Sequence, residues 1–423
     1  MGTFELQGFH NAYLAAGQQD IDAIITVTTG GEVEGSVAPV SAAAPPTEVI
    51  IVDTSGSMEG EKLREARRAT AAAIDCIRDG VRFAVLEGDR HARAVYPAVG
   101  VAVATARSRE EAVGALRGLK ARGGTAIGRW IDAATALFRG ETGVRHAILL
   151  TDGRDESEKP EELEAALARA AGSFQCDCRG VGSDWEVAEL RRIANALLGT
   201  VDIVADPRHL ADDFQAMMRE AMGKSVADVE LRVWTPQGAE VQFFKQVAPE
   251  ILDLTPAGQQ INDLTVAYPT GAWGNESRDY HLAVRVTPGG LGDEMLAARV
   301  SAVVDGVVGG QALIQVTWTD DTVLSTRINR QVAHYTGQQE LADAIQEGLE
   351  ARKNGDPDTA VVKLGRAVQL AAESDNKDLA VLLERVVEVE DAATGRVRLK
   401  SSIPVEDEMT LDTRSTKTAR VHR

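Results

Sequence analysis

The sequence predicts an α/β protein in which a doubly wound, mostly parallel sheet is inserted in a β-sandwich and followed by a C-terminal helical segment. Three observations predict this fold class. Apolar runs alternate with helical patterns from about residue 47 to 222. Short strands with Pro and Gly turns fill residues 225 to 320, and similar strand patterns occur in residues 1 to 45. Residues 325 to 392 are rich in Ala, Leu and Glu and have helical periodicity.

Composition and charge restrict the classes of protein that fit the chain. Its 423 residues exceed what one hydrophobic core usually serves, so several domains are expected. The net charge of -19 argues against binding to nucleic acid or anionic lipid, because both need clustered Lys and Arg. No signal peptide or membrane-spanning apolar run is recognisable, and the cysteines are too few for a disulfide framework. We therefore expect a cytoplasmic protein with no nucleic-acid partner and no membrane.

The N-terminal strands, in residues 1 to 45, are expected to join a domain that lies later in the chain. The stretches FELQGFH and IDAIITVTT are typical of strands, and two strands alone are only marginally stable. The Pro/Ala-rich stretch SVAPVSAAAPPT is predicted to be a linker. The sandwich of residues 225 to 320 has edges that could accept these strands, which would make one discontinuous domain. The alternative is an independent arm along the α/β domain.

The segment from 47 to 222 is predicted to form a parallel sheet with helices on both faces. Helical spacing of apolar residues is present in EKLREARRATAAAIDCI, PEELEAALARAAG and EVAELRRIANALL. Pro160 suits the first turn of the second of these helices. The strand patterns FAVLEG and ARAVYP are too close for a crossover helix, so one of them is expected to be an antiparallel edge strand.

The C-terminal third divides into a helical part and a tail. Residues 325 to 392 are predicted to form a helical hairpin domain in which Asp356 and Pro357 open one helix. From about residue 394 the apolar periodicity ends, and residues 394 to 423 are predicted to be a disordered tail.

Oxygen-bearing side chains follow several predicted elements of the α/β segment. Asp53, Ser55 and Ser57 come directly after the apolar run VIIV, Asp152 follows HAILLT, and Thr125 follows two glycines in a loop. Because ligands bind beyond the carboxyl ends of parallel strands, we expect these side chains to converge. The set contains no His or Cys and suits a hard divalent cation, Mg²⁺ first and Mn²⁺ or Ca²⁺ as alternatives. For the first motif alone, helix capping is the simpler interpretation.

The five positions, in their order, resemble the metal-ion-dependent adhesion site of von Willebrand factor type A domains, here of a bacterial intracellular type with a complete motif. The resemblance covers roughly residues 47 to 222 and implies a Rossmann-like fold. It implies that the three Ser and Thr hydroxyls contact the metal, that the two Asp carboxylates act through bound waters, and that a Glu or Asp of a protein partner completes the coordination. Some other type A proteins, including vesicle-coat subunits, have a similar discontinuous layout.

Other polar and thiol groups have simpler interpretations. The loop that carries Asp155, Glu156 and Glu158 is expected to be a solvated acidic loop rather than a second metal site. Cys176 and Cys178 alternate along one strand, so both thiols face one side and are expected to be buried and structural.

Two functions remain for the predicted site. The first is a metal-dependent protein-protein interaction module or scaffold, and the second is a metal-dependent hydrolase that uses an activated water. An enzyme should add a general base or a phosphate clamp, and no nucleophile elbow or Walker-type loop is recognisable. The sequence therefore favours a scaffold without catalytic residues.

The predicted tail contains candidate phosphorylation sites, of which Thr410 is the first choice and Thr413 the second. The acidic run before Met409 resembles sites used by bacterial Ser/Thr kinases, and a phosphothreonine in a flexible tail resembles ligands of forkhead-associated domains. A phosphate adds nearly two negative charges, which an Arg-bearing pocket of another protein can recognise. The alternative is a solvated tail whose threonines keep it soluble.

Overall fold

A computed structural model describes residues 4–30, 44–418 and 420. The chain divides into two compact units. The terminal unit comprises Met1–Val33, Val229–Thr270 and Asn275–Arg423, and the central unit comprises Glu34–Asp228 and Gly271–Gly274. Among the described residues, no helix is long and apolar enough to cross a membrane.

The first elements along the chain are three strands of the terminal unit: β1 (Phe4–His10), β2 (Tyr13–Ala15) and β3 (Asp20–Thr29). The predicted linker that follows lies mostly outside the described residues, which resume at Ala44.

In the residues that the structure describes, the central unit has seven strands and six α-helices. Its strands are β4 (Thr47–Asp53), β5 (Arg82–Gly88), β6 (Ala92–Tyr96), β7 (Ala102–Val103), β8 (Arg145–Thr151), β9 (Gln175–Val181) and β10 (Val201–Val204). Its helices are α1 (Glu61–Cys76), α2 (Ala106–Ala115), α3 (Ile127–Phe138), α4 (Pro160–Ala170), α5 (Val187–Ala196) and α6 (Leu210–Gly223). The strand order is β10-β9-β8-β4-β5-β6, with β7 paired to β5.

The sheet of the central unit is parallel except at one edge. Strand β4 pairs in parallel with both β5 and β8, and all of its residues are buried. Burial on both faces explains why these strands read as continuous apolar runs. The predicted antiparallel edge is confirmed, because β6 pairs antiparallel with β5 and ends the sheet. The thiols of Cys176 and Cys178 are also buried, as expected.

The terminal unit contains the remaining strands and helices. Its strands are β11 (Glu230–Trp234), β12 (Glu240–Ala248), β13 (Leu252–Asp253), β14 (Gln259–Asn262), β15 (Thr265–Pro269), β16 (Ser277–Arg285), β17 (Glu294–Val304), β18 (Val307–Thr319), β19 (Val387–Asp391) and β20 (Arg396–Leu399). Its helices are α7 (Thr322–Ser325), α8 (Arg330–Lys353), α9 (Pro357–Glu373), α10 (Lys377–Val386) and α11 (Val405–Arg414).

The N-terminal strands are paired within both larger sheets of the terminal unit. One sheet has the order β1-β3-β16-β12-β13, and the other has the order β14-β15-β11-β17-β18-β2. Strand β3 pairs with β16 along the whole of β16, from Ser277 to Arg285. Strands β1, β2 and β3 are therefore part of these sheets and do not form an independent arm.

The segment from 394 to 423 differs from the disordered tail that the sequence predicts. It contains strand β20 and the ten-residue helix α11. Lys417 then forms a β-bridge with Glu250. The prediction of disorder was wrong for the described residues, because α11 buries Met409 and Leu411 and its threonines bond to its own backbone.

Candidate metal centre

Asp53 is the last residue of β4 and is fully buried. Its Oδ1 accepts a hydrogen bond from the backbone N–H of Ser55 at 2.7 Å, and its Oδ2 accepts one from the Thr151 hydroxyl at 2.6 Å. Burial raises the pKa of Asp53 to about 6, although the hydrogen bonds from Thr151 and Ser55 act to lower it. The carboxylate is thus held rigidly at the carboxyl end of the sheet.

A short hydrogen-bonded chain connects the two serines to the second aspartate. The hydroxyls of Ser55 and Ser57 lie 3.0 Å apart, and Ser57 donates to Oδ1 of Asp152 at 2.6 Å. Asp152 directly follows β8, the neighbour of β4, and is fully buried. Parallel pairing therefore brings these residues from distant parts of the sequence to one edge.

Thr125 lies beside the same group of side chains. A Cβ placed on Gly153 would be 3.3 Å from the Thr125 hydroxyl and 3.6 Å from the Ser57 hydroxyl, so both hydroxyls flank Gly153. The Thr125 carbonyl also accepts from the backbone N–H of Ser157 at 2.8 Å. The structure therefore brings all five predicted residues together at one edge of the sheet.

The loop before Thr125 is anchored to the strands of the site. Gly123 has a φ of +71°, which favours glycine, and its carbonyl accepts from the Gly56 N–H at 3.1 Å. The Arg122 guanidinium donates to Glu87 at 2.5 Å and to Asp89 at 3.3 Å. These contacts fix the approach of the loop to β5.

Helix capping does not explain the first motif. The N-cap of α1 is Gly60, and no side chain caps that helix. Ser55 precedes the short 3-10 turn Gly56–Met58 and makes no side-chain capping bond there either. The hydroxyls of Ser55 and Ser57 instead contact one another and Asp152, so the capping alternative is wrong.

Lys62 is a member of the site that the sequence analysis missed. Its Nζ lies 2.6 Å from Oδ2 of Asp152 and 3.1 Å from Oδ2 of Asp184. Burial alone would lower the pKa of Lys62, but the two carboxylates outweigh that effect and raise it. The only signal in the sequence was a lysine in the first turn of the helix that follows the motif.

The donor chemistry of the group fits a hard divalent cation. Its donors are two carboxylates and three hydroxyls, which are the oxygen ligands that such a cation prefers. The described residues hold no cluster of three or more His, Cys, Asp or Glu that could bind a metal. A metal here would therefore depend on the Ser and Thr hydroxyls as well as on the carboxylates.

The acidic loop after Asp152 is less solvated than the sequence suggested. Asp155 accepts from the backbone N–H of Ile127 at 3.3 Å, and Glu158 accepts from the N–H of Gly128. Both carboxyl groups thus lie at the N-terminus of α3, and of the three acidic residues Asp155, Glu156 and Glu158 only Glu156 is exposed. Burial, followed by the neighbouring Glu158, raises the pKa of Asp155 to about 8.

The candidate phosphorylation sites lie on α11 of the terminal unit. Thr410 is half-buried and its hydroxyl donates to the carbonyl of Glu406 at 2.6 Å. Thr413 is fully buried and donates to the carbonyl of Met409 at 2.9 Å. A kinase would reach the Thr413 hydroxyl only if the helix left its position.

Comparisons with protein families match two parts of the chain. A model described as von Willebrand factor type A domain matches residues 48–203, and one described as von Willebrand factor type A C-terminal domain matches residues 369–415. A curated protein of Synechocystis sp., described as uncharacterized, is 27% identical over 216 residues. That match covers 50% of this chain and 50% of the relative, so the chain spans about half of the relative's length.

Solved structures extend the similarity to nearly the whole chain. A structure described as von Willebrand factor type A from Catenulispora acidiphila is 47% identical in sequence to this chain, with a TM-score of 0.94. The match covers 99% of this chain and 98% of that chain. The ArnB paralog VWA2 of Sulfolobus acidocaldarius is 14% identical, with a TM-score of 0.61 and 98% of each chain covered. The human COPII-coat protein Sec24c is 11% identical, with a TM-score of 0.55, and covers 89% of this chain and 58% of that chain. The last two similarities show the fold alone.

Proposed function

Because the chain belongs to the von Willebrand factor type A family, whose domains generally mediate protein-protein interaction, we propose that it is a metal-dependent interaction module or scaffold. In this proposal the central unit binds a divalent cation, Mg²⁺ in the first place, and a Glu or Asp of a partner protein completes the coordination. The proposal includes a cytoplasmic location and no catalytic role.

The convergence of the five motif residues at the carboxyl edge of the sheet carries the proposal. Asp53 and Asp152 are fully buried, and the Ser57 hydroxyl bonds directly to Asp152. Two buried carboxylates at one edge are costly unless positive charge balances them. Lys62 pairs with Asp152 and shares its charge with Asp184. A bound divalent cation would supply the missing charge and would attract a partner carboxylate through a charge-assisted contact.

The motif residues have distinct parts in this proposal. The hydroxyls of Ser55, Ser57 and Thr125 would hold the ion. The two aspartates would contribute charge through water while their hydrogen bonds to Thr151 and Ser57 keep them in place. Two carboxylates that do not touch the ion leave it more electrophilic, which favours an additional carboxylate ligand from outside.

The kinase and forkhead-associated part of the proposal concerns α11. Phosphorylation at Thr410 would place a charge on a half-buried position, where a partner's Arg-bearing pocket could recognise it. Thr413 would become accessible only on opening of the helix. Mass spectrometry after incubation with a kinase from the same cell tests this part. Phosphate confined to other positions would remove it.

A metal-binding experiment tests the central claim. Calorimetry or Mn²⁺ paramagnetic resonance should give one site in the wild type and none in Asp53→Ala. Asp132→Ala is a matched control, because Asp132 lies on the surface of α3 and pairs with Arg169. Equal Mn²⁺ binding by the wild type and Asp53→Ala would refute the site.

Partner capture tests the interaction itself. The immobilised chain should retain partners from the native extract in Mg²⁺, lose them in EDTA and regain them when Mg²⁺ is restored. Asp53→Ala should capture none under any condition, and Asp132→Ala should behave as the wild type. Retention that is indifferent to EDTA would contradict metal-dependent binding.

A further inference from the structure

A polar cavity of about 610 Å³ lies within the terminal unit, remote in sequence from the motif of the central unit. Its walls come from β1, β3, β16 and the first turns of α8. Glu5, Gln7, Thr28 and Ser277 contribute polar groups to these walls. Nothing in the metal-dependent function above uses this cavity.

Asp279 of β16 is the charged centre of the cavity. Its side chain is only 5% exposed. Its carboxylate accepts from the hydroxyl of Thr26 at 2.6 Å and from the hydroxyl of Tyr335 at 2.5 Å. Burial would raise the pKa of Asp279, but hydrogen bonds from Arg420, Thr26 and Tyr335 lower it below its usual value. The wall of the cavity therefore holds an oriented carboxylate that is kept ionised.

The chain's own Arg420 lies against this carboxylate. Its Nε donates to Oδ2 of Asp279 at 2.9 Å, and its Nη2 donates to Oδ1 at 2.6 Å. This is the two-pronged geometry in which a guanidinium recognises a carboxylate. The Arg420 side chain is nonetheless 40% exposed, so it lies at the cavity rather than within the core.

The preceding residues hold this part of the chain on the sheet by peripheral contacts. The Thr416 hydroxyl donates to Glu250 at 2.9 Å, and the Thr418 hydroxyl donates to the carbonyl of Val247 at 2.6 Å. The backbone N–H of Thr418 also donates to the carbonyl of Pro249 at 3.0 Å. These described residues before Arg420 are thus hydrogen-bonded to the end of β12 and the residues after it, and none of the three bonds involves a residue that lines the cavity.

The lining chemistry selects a guanidinium on an apolar stem. Asp279 supplies the charge, Thr26 and Tyr335 orient it, and Phe9 and Ile24 supply apolar surface for methylene groups. Glu5 adds a second acidic group to the lining, which disfavours anions. Arg420 itself lines the volume of about 610 Å³, so this space lies beside the arginine side chain and can take the residues next to an arginine in a peptide.

We propose that this cavity is a binding site for an arginine side chain of a partner polypeptide, and that Arg420 is the chain's own competing occupant. An incoming arginine replaces Arg420 on Asp279 by exchange of equivalent hydrogen bonds. The site is thus self-covered when no partner is present, and binding of the partner releases the C-terminal segment.

The test uses the full chain and the peptide acetyl-Ala-Arg-Ala-amide as probe, with binding measured by calorimetry. In the wild type, the probe can bind only to the fraction of molecules in which Arg420 has left Asp279, so the apparent affinity is reduced by that fraction. Arg420→Ala should therefore bind the probe about tenfold more tightly than the wild type. Arg327→Ala is the matched control, because Arg327 is exposed and does not line the cavity, and it should bind as the wild type does.

Two further binding experiments test which chemical group the cavity recognises. Asp279→Asn in the Arg420→Ala background should lose the probe, and the peptide with Lys in place of Arg should bind more weakly. If the Asp279→Asn chain does not fold, the comparison of Arg420→Ala with the wild type decides alone. Absence of probe binding by Arg420→Ala, or equal affinity in Arg420→Ala and the wild type, would overturn the proposal. If Arg420→Ala bound free L-arginine as tightly as the peptide probe, the assignment to a polypeptide would be overturned.

Discussion

At the scale of single residues, the convergence of Asp53 and Asp152 could be predicted, because Asp53 ends one parallel strand and Asp152 directly follows its neighbour. The sequence places Asp53 and Asp152 after apolar runs, and parallel pairing of β4 with β8 makes those ends neighbours. Lys62 could not be predicted in the same way. Its contact with Asp152 depends on the direction of α1 relative to β8, which no spacing in the sequence specifies.

In the proposed metal site, Lys62 is expected to compete with a divalent cation for the charge of Asp152. Lys62→Gln removes a positive charge 2.6 Å from Oδ2 of Asp152, so the affinity for Mn²⁺ should rise. A partly exposed ion pair contributes about 1 kcal/mol, which corresponds to an increase of about fivefold. Lys62→Arg keeps the charge and should leave the affinity near that of the wild type. Calorimetry that gives Lys62→Gln an unchanged or weaker affinity would show that Lys62 does not oppose the ion.

His146 lies between two carboxylates near the amino ends of the same strands. Its Nδ1 lies 2.7 Å from Oε1 of Glu48 and its Nε2 lies 3.0 Å from Oδ2 of Asp177. Burial alone would lower the pKa of His146, but Glu48 and Asp177 raise it to about 10. The imidazolium therefore bridges β4, β8 and β9.

Replacing His146 should destabilise the protein in a manner that depends on pH. His146→Leu leaves the buried Glu48 and the half-buried Asp177 without the imidazolium between them, at a cost of about 3 kcal/mol in the free energy of unfolding. Because the folded-state pKa is raised, the contribution of His146 is full below 6.5 and is lost as pH rises through about 10. The free energies of unfolding in urea of the wild type and His146→Leu should therefore differ clearly at pH 6 and differ less at pH 10.5. His91→Leu, at an exposed position, is the control, and a difference independent of pH would exclude a charged His146.

At the scale of elements, the apolar strands of the central unit and its helices α1, α4 and α5 follow from periodicity, whereas α11 does not. A parallel sheet covered on both faces needs continuous apolar strands, and that requirement appears directly in the sequence. Helix α11 has few apolar residues, yet acidic residues fill its first turn and Arg414 lies in its last turn. Both charges favour a helix through its dipole. These end signals were present, but the sparse apolar pattern concealed them.

The two candidate threonines of α11 differ in burial, so a carboxylate should destabilise the protein more at Thr413 than at Thr410. Thr413→Glu would bury a carboxylate without a partner and should lower the free energy of unfolding by about 3 kcal/mol or more. Thr410→Glu, on a half-buried position of the same helix, should cost about 1 kcal/mol or less. Denaturant unfolding of the two variants gives the comparison directly. Equal stability of the two variants would mean that Thr413 is not enclosed in solution.

At the scale of the whole molecule, the N-terminal strands were expected to pair with a later part of the chain, because they do not form a stable sheet alone. Two strands cannot bury their own apolar faces, so a partner sheet was required, although its identity could not be derived from local pattern. In the structure β3 lies between β1 and β16, and His281 of β16 contacts Asp22 at 2.8 Å. The register of that pairing depends on residues more than 200 positions apart, and no turn in the sequence specifies it.

Deleting residues 1 to 30 should therefore convert the terminal unit into an aggregating species. Removal of β3 leaves β16 with one side unpaired along Ser277–Arg285, and eight of those nine residues are buried or half-buried. A long edge of this kind offers unpaired backbone groups and apolar side chains to other chains. Light scattering should show association of the deleted chain, and a synthetic peptide of residues 4 to 30 should suppress it. A peptide of the same composition in scrambled order should have no effect, because suppression requires the register of β3 against β16. A deleted chain that stays monomeric and unfolds as cooperatively as the wild type would show that β3 is dispensable to the sheet.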